Sequence, residues 1–368
     1  MTKIGIIGGG QLGMMIAEAA KRLGAQTVAL DVSEDAPAFR VCGEHVVARS
    51  FDDAEALERL CAAADVVTYE FENIPAQVLM PLAERYNIKQ GVRQLLDSQD
   101  RLVEKRNAER GGLPCGGYMA VDNADDLHRG VERFGYPCVL KSRRLGYDGH
   151  GQKVLRSDDD LAAAEKMLDV PMILEEFIDF DYEASVIMVA DKERIVTFPV
   201  GRNIHSGGIL DLSVVPAPLM TTMVHERMIR RSEAFMRRCG YEGILAIEYF
   251  VRGEDVIFNE MAPRPHNSGH YTIEGCTTDQ YTELVRYLLG EPLREPQLVA
   301  PTVMKNILGR DLEAAQAIAA EGHDGVYVHI YGKSESRPRR KMGHITMVGM
   351  TPERFDAEWA CRFAKDEQ

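Results

Sequence analysis

Apolar residues open the chain in a short run, Lys3–Ile7, which predicts a strand. Gln11–Leu23 then predicts a helix ended by Gly24, and Thr27–Leu30 a second strand. Asp65–Tyr69 is a further strand, and Pro75 opens a helix behind it. Strand alternating with helix predicts a parallel sheet with crossover helices. A boundary falls near 88–98, and Arg101–Glu109 begins a new polar helix. Residues 118–190 read as strand, helix, strand, glycine-rich loop, helix and two strands. ILAIEYF and VIFNE, within 243–260, read as two buried arms of a hairpin turning at 252–255. Tyr281–Leu289 is a helix stopped by Gly290 and Pro292. From about 297 the pattern gives strands near 303–308, 326–331 and 344–348, then a short amphipathic helix carrying Trp359. The fold class is a multidomain one that mixes α/β and α+β segments.

Composition narrows the possibilities without naming a chemistry. A length of 368 residues is enough for two or three domains around real cores. A net charge of −14 argues against general nucleic-acid binding. No apolar run is long enough to span a bilayer, so no membrane partner is expected. MTKIGIIGGG is a strand turning at glycines, not a signal peptide. The seven cysteines are scattered with no CxxC, which reads as reduced thiols in the cytoplasm.

The most telling stretch is 135–152, GYPCVLKSRRLGYDGHGQ. A strand ends in Lys141, and Gly146, Gly149 and Gly151 punctuate the loop behind it. A lysine there can lie along a polyphosphate, and a loop poor in β-carbons can close over it with its N–H groups aimed at oxygens. The lysine precedes the glycines, so this is not the G-x-x-x-x-G-K-[ST] pattern. Tyr147 and Asp148 put polar groups on the loop. Glu175 and Glu176 end an apolar strand; the segment can read an adenine edge or be an exposed charged edge. Glu183 can take ribose hydroxyls. Glu248 interrupts an apolar strand and Glu260 ends the next, where a carboxylate is costly unless paired with lysine or arginine, or bound to metal. Asn259 adds an oxygen beside Glu260, which favours Mg²⁺.

Other motifs stay open. Gly8-x-Gly10-x-x-Gly13 followed by Asp31 fits a dinucleotide fingerprint, a tight structural turn, or a helix N-terminus receiving another substrate. APRPHNSGH, 262–270, is irregular and polar and suits substrate contact; zinc on His266 and His270 lacks a third ligand at useful spacing. The basic cluster at 332–344 is a solvated loop or a seat for one small anion such as a phosphate monoester.

GGGQLG, YEFENIP, GYPCVLK, GYDGHGQ, EEFI, APRPHNSGH and RRKMGH occur in this order over nearly the whole chain. Together they resemble the N5-carboxyaminoimidazole ribonucleotide synthetases of the ATP-grasp superfamily. The resemblance implies an ATP-grasp fold with a Rossmann-like preATP-grasp domain over 1–95. The ATP-grasp domain would cover 96–296 with a flap near 142–152, and a small C-terminal domain 297–368. It implies ATP, bicarbonate and 5-aminoimidazole ribonucleotide as substrates, Mg²⁺ but neither biotin nor NAD, and a cytoplasmic homodimer. Catalytic roles would fall to Lys141, Tyr147, Asp148, Arg264 and Lys341. ATP would meet Arg101, Lys141, the flap residues Gly146, Tyr147, Asp148, Gly149, His150, Gly151 and Gln152, the adenine-lining Glu175, Glu176, Phe177 and Ile178, then Glu183, His205, Asn259 and Glu260. The ribonucleotide would meet Gln11, Leu12, Glu70, His266, Asn267, Lys333, Arg340 and Lys341, with the last three on its phosphate. Glu248 and Glu260 would bind the metal. His150 stands where the family usually has Arg or Lys, which would make a charge there pH-dependent. The nearest rivals are a formate-using glycinamide ribonucleotide transformylase and an NAD-dependent oxidoreductase.

Overall fold

In the computed structural model, which describes residues 1–146 and 151–364, the chain builds three sheets. The first is parallel, with β1 (Lys3–Ile7), β2 (Gln26–Asp31), β3 (Glu44–Val47) and β4 (Val66–Tyr69) in the order β3-β2-β1-β4. β1 and β4 are buried along nearly their whole length, as strands covered on both faces must be. Helix Gln11–Arg22 returns the chain from β1 to β2. Its face of Leu12, Met15, Ile16 and Ala19 joins one core with Tyr281, Leu284 and Leu288 of helix Gln280–Leu289. That core also takes Ile187, Val189 and Ile244, so the start of the first helix is held against the large sheet. Each fully buried Leu or Ile contributes about 1.5–3 kcal/mol.

The second sheet is antiparallel, with β5 (Tyr118–Val121), β6 (Cys138–Ser142), β7 (Gln152–Leu155) and β8 (Met172–Glu176) in the order β5-β8-β6-β7. β6 and β7 flank the glycine loop, so Lys141 pairs with Gln152 across its mouth. The sequence pattern did not show β7.

The third sheet has nine strands. They are β9 (Tyr182–Ala190), β10 (Ile195–Thr197), β11 (Gly201–Ser206), β12 (Ile209–Val215), β13 (Gly243–Arg252), β14 (Asp255–Ala262), β15 (Thr302–Leu308), β16 (Val326–Ile330) and β17 (Lys341–Val348). The order is β14-β13-β9-β11-β12-β15-β17-β16, with β10 on β9. β12 pairs with β15, so the C-terminal strands extend the sheet begun in the middle of the chain. Helix Thr222–Cys239 backs this sheet; Thr221 caps its start and Gly240, at φ 66°, ends it.

Candidate functional site

The three sheets meet around a cavity of about 500 Å³. Its floor is the hairpin of β13 and β14, where Glu248 and Glu260 stand directly opposite each other and line the cavity together. Two carboxylates this close need cations. Arg101 Nη1 donates to Glu260 at 2.7 Å, and His266 Nε2 lies 3.1 Å from Glu248 Oε1. Burial would raise the Glu260 pKa, but Arg101 holds it below the usual range. The arginine pairing that sequence offers as the plainer reading of Glu260 is therefore present. The same two carboxylates, with Asn259 on the cavity wall, also offer hard oxygens of the kind Mg²⁺ accepts. Among the described residues no group of three or more His, Cys, Asp or Glu could hold a metal. A divalent ion here would need substrate oxygens to complete its shell, and the donor set fits that arrangement.

One wall is cationic. Lys141 Nζ donates to Glu175 Oε2 at 2.9 Å, and Lys105 Nζ lies 3.4 Å from the same oxygen. Burial pushes the Glu175 pKa up, yet Lys105, Lys141 and Arg101 bring it to about 2. Lys141 moves down as well, because burial, Arg101 and Lys105 outweigh its one shared carboxylate. Burial is the larger cause for Lys141, and the surplus of positive charge around the pair acts in the same direction on both groups. Glu104, also on the wall, does not cancel it: burial raises its pKa to about 8. A wall that stabilises anions and disfavours cations suits a polyphosphate.

The stem of the glycine loop is tied to the helix that presents Arg101. Asp100 caps helix Arg101–Gly111 through Leu102 N and also takes Arg143 Nε at 3.0 Å and Nη2 at 2.7 Å. Gly146 and Gln152 line the cavity, and Gly151 accepts from Ser142 N next to it. Tyr147, Asp148, Gly149 and His150 lie outside the described residues.

Glu183 and His205, on the neighbouring strands β9 and β11, are hydrogen-bonded to each other on the cavity wall. None of Glu175, Glu176, Phe177 and Ile178 lines the cavity; the Glu176 carboxylate accepts from Gly117 N at 3.0 Å. Glu175 faces the lysines rather than solvent, so the exposed-edge reading fails for it.

The opposite side comes from the first sheet and the 262–270 segment. Gln11, Leu12 and Glu70 line it. Gly9 N donates to Asp31 at 2.7 Å and Gly10 N to Glu70 at 3.0 Å. The N–H groups a dinucleotide phosphate would need are taken by the protein's own carboxylates, and the other Asp31 oxygen accepts from Ser33 N. Asp31, at the end of β2, uses its carboxylate to hold the adjoining turns, and Gly8 and Gly10 permit the close approach of Glu70. Burial pushes the Glu70 pKa up to about 7. Arg264 grips Glu72 through Nε and Nη2. Gln280 holds the main chain of His266 at both N and O, at 2.9 and 2.8 Å. Both amide atoms of Asn267 are buried without a partner among the described residues, in a side chain that lines the cavity. Lys341 reaches the cavity, but Lys333 and Arg340 do not line it. Lys333 Nζ donates to Lys341 O at 2.8 Å, and Arg340 Nη1 to Glu335 O at 2.8 Å.

His270 is no zinc ligand in this arrangement. It stacks on His344, which stacks on His329, at 4.3 and 4.4 Å, and its Nδ1 meets the Tyr281 hydroxyl at 2.8 Å. Sequence reasoning missed Glu72, Glu104, Lys105, Arg143 and Gln280. Glu72 was within reach, since it stands in the same YEFENIP run as Glu70.

Three family models match the chain in succession. The ribonucleotide synthetase preATP-grasp domain matches residues 1–99, the ATP-grasp domain 106–281, and the phosphoribosylaminoimidazole carboxylase C-terminal domain 302–358. An N5-carboxyaminoimidazole ribonucleotide synthase of Staphylococcus aureus (strain COL) is 38% identical over 349 residues, covering 94% of this chain and 92% of the relative. The N5-carboxyaminoimidazole synthetase of Staphylococcus aureus complexed with ADP superposes with a TM-score of 0.94 at 36% identity, covering 99% and 97% of the two chains. The Aspergillus clavatus synthase in complex with ADP and 5-aminoimidazole ribonucleotide gives 0.90 at 29% identity, covering 98% and 97%. Among the described residues no helix is long and apolar enough to cross a membrane. With one cavity drawn from all three sheets and matches running from end to end, the chain belongs to the N5-carboxyaminoimidazole ribonucleotide synthase family, within the ATP-grasp fold.

Proposed function

We propose that this chain is the ATP-dependent ligase that carboxylates 5-aminoimidazole ribonucleotide with bicarbonate. The products are N5-carboxyaminoimidazole ribonucleotide, ADP and phosphate, and the setting is purine biosynthesis. The observation that carries the reading is the cavity itself, which brings Lys141, Arg101, Arg264, His266 and Lys341 into one lining with the paired carboxylates Glu248 and Glu260.

Bicarbonate is a poor electrophile because its carbon carries no good leaving group. One of its oxygens attacks the γ-phosphorus of ATP, the bond to the β-phosphate bridging oxygen breaks, and ADP departs. Lys141 and Arg101 offset charge on the transferring group. Glu248 and Glu260, with Asn259 alongside, would hold Mg²⁺, which when bound supplies further charge neutralisation at the phosphates. The substrate amine then forms its C–N bond with carboxyphosphate, whose C–O bond to phosphate breaks, or with CO₂ released by that cleavage, and the amine's proton leaves on the departing phosphate. Lys341 binds the ribonucleotide phosphate, and Arg264 holds the carboxyphosphate oxygens from its seat on Glu72. The glycine loop keeps water from the intermediate. The protein forms no covalent bond, so its contribution is position and charge. The proposed enzyme is a cytoplasmic homodimer, a state that light scattering of the purified chain tests.

ADP formation with Mg²⁺-ATP provides the test. Aminoimidazole ribonucleotide with bicarbonate should stimulate it. Stimulation only by glycinamide ribonucleotide with formate would overturn the substrate assignment.

A further inference from the structure

A file of hydrogen bonds crosses three strands of the large sheet to the ring of His266. Ser213 Oγ lies 3.1 Å from Asn203 Oδ1, and Asn203 Nδ2 lies 3.1 Å from Ser185 Oγ. Ser185 Oγ is 2.7 Å from Ser268 Oγ, which is 2.7 Å from His266 Nδ1. The four residues leading to His266 are buried, none more than 4% exposed. They stand on β12, β11, β9 and the turn Asn267–Gly269, and sheet register sets Asn203 directly opposite Ser213.

The file has a direction. An amide oxygen only accepts and an amide nitrogen only donates. Ser213 therefore donates to Asn203, and Asn203 to Ser185. Ser185 has its proton left for Ser268, and Ser268 has its own for His266 Nδ1. The backbone N–H of Ser268 points to the same nitrogen at 3.3 Å. A main-chain N–H cannot accept, so it sets the same polarity however the Asn203 amide is turned. Two donors converge on Nδ1, which leaves no place there for a proton.

We infer that the neutral His266 ring is held with its proton on Nε2, and that Ser268, Ser185 and Asn203 are positioning residues that hold it so. Nε2 is the nitrogen that lies 3.1 Å from Glu248 on the cavity wall. His266 then serves as a hydrogen-bond donor to an anionic oxygen, either of Glu248 or of a substrate carboxylate. It is not the base that takes the proton of the attacking amine, because the nitrogen facing the cavity is already protonated. This role rests on the carboxylation reading, whereas the location of the proton does not.

The test is a long-range ¹H–¹⁵N correlation spectrum of the full chain labelled with ¹⁵N-histidine, without nucleotide, at pH 8. The His266 signals are those lost in His266→Asn. The expected spectrum has an unprotonated Nδ1 and a protonated Nε2. Ser268→Ala leaves only the backbone donor; it should give a mixed tautomer and lower kcat about tenfold, with the KM for ATP within about twofold of wild type. Ser185→Ala should move both readouts in the same direction by less, and it decides alone if Ser268→Ala does not fold. A proton on Nδ1 in the wild-type spectrum overturns the inference, as do variants that keep the wild-type tautomer and kcat. Should the expected spectrum be found in a protein that does not turn over aminoimidazole ribonucleotide, the carboxylation reading fails and the tautomer assignment stands.

Discussion

Glu175→Gln tests the charge balance of the cationic wall. Glu175 is 6% exposed, with Lys141 at 2.9 Å and Lys105 at 3.4 Å. Burial opposes its ionisation, yet Lys105, Lys141 and Arg101 bring its pKa from 4.5 to about 2. At about 1.4 kcal/mol per pH unit, that shift corresponds to a contribution on the order of 3 kcal/mol to folding. The folded-state pKa lies below the unfolded one. The contribution is therefore complete above about pH 4.5 and is lost as pH falls toward 2. At pH 7.5 the glutamine variant forfeits all of it and leaves two ammonium groups without their carboxylate. Urea denaturation should show a loss of about 3 kcal/mol. Lys105→Met in the same background removes one uncompensated cation. The double variant should be more stable than the two single losses predict, by about 1–2 kcal/mol. A loss below about 1 kcal/mol for Glu175→Gln, or single losses that add to within about 0.5 kcal/mol, would refute this balance.

The remaining predictions concern other parts of the same cavity. A β-carbon on Gly8, at φ 100°, would stand 2.4 Å from Glu70 Cγ and 2.8 Å from Phe71, so Gly8→Ala should cost about 2 kcal/mol or more in urea denaturation; a wild-type midpoint contradicts this. Burial, with His270 and His329 beside it, holds the His344 pKa well below 6.5. Its contribution to stability is therefore complete above the unfolded-state value and falls with pH below it, by about 1.4 kcal/mol per unit. His344→Gln should flatten the stability profile between pH 6.5 and 5.5 by about that amount relative to wild type, and an unchanged slope sinks the argument. Arg264→Lys keeps the charge but loses the fork on Glu72, so turnover should fall about 10- to 100-fold in a folded protein. Wild-type kcat in that variant would remove Arg264 from the machinery.

Local signals in the sequence carried as far as local physics reaches. The run KIGII, the arms ILAIEYF and VIFNE, and Gly290 after Leu289 all specify their elements within a few residues, and the structure has each of them. Helix Thr222–Cys239 was harder to see because charged residues crowd its sequence, although Val224, Met228, Phe235 and Met236 line one buried face. The pairing of β12 with β15 joins residues about 90 apart, and no local pattern encodes it. The site divides in the same way. Lys141, Glu248 and Glu260 stood out because each is a charge at the end or in the middle of an apolar run. Lys105 acts through Glu175, 70 residues away, and Gln280 through His266, 14 residues away across a helix and a loop, so neither carried a signal of its own. The glycine fingerprint was ambiguous because the carboxylates that fill its N–H groups, Asp31 and Glu70, arrive from the ends of two other strands.

The most direct test of the account follows an oxygen atom. ATP, aminoimidazole ribonucleotide and ¹⁸O-labelled bicarbonate are supplied together, and the released phosphate is analysed by mass spectrometry with correction for exchange with water. Attack of bicarbonate on the γ-phosphorus places a single labelled oxygen in each phosphate. Phosphate that carries no label while ADP accumulates would mean that bicarbonate is never phosphorylated in this cavity.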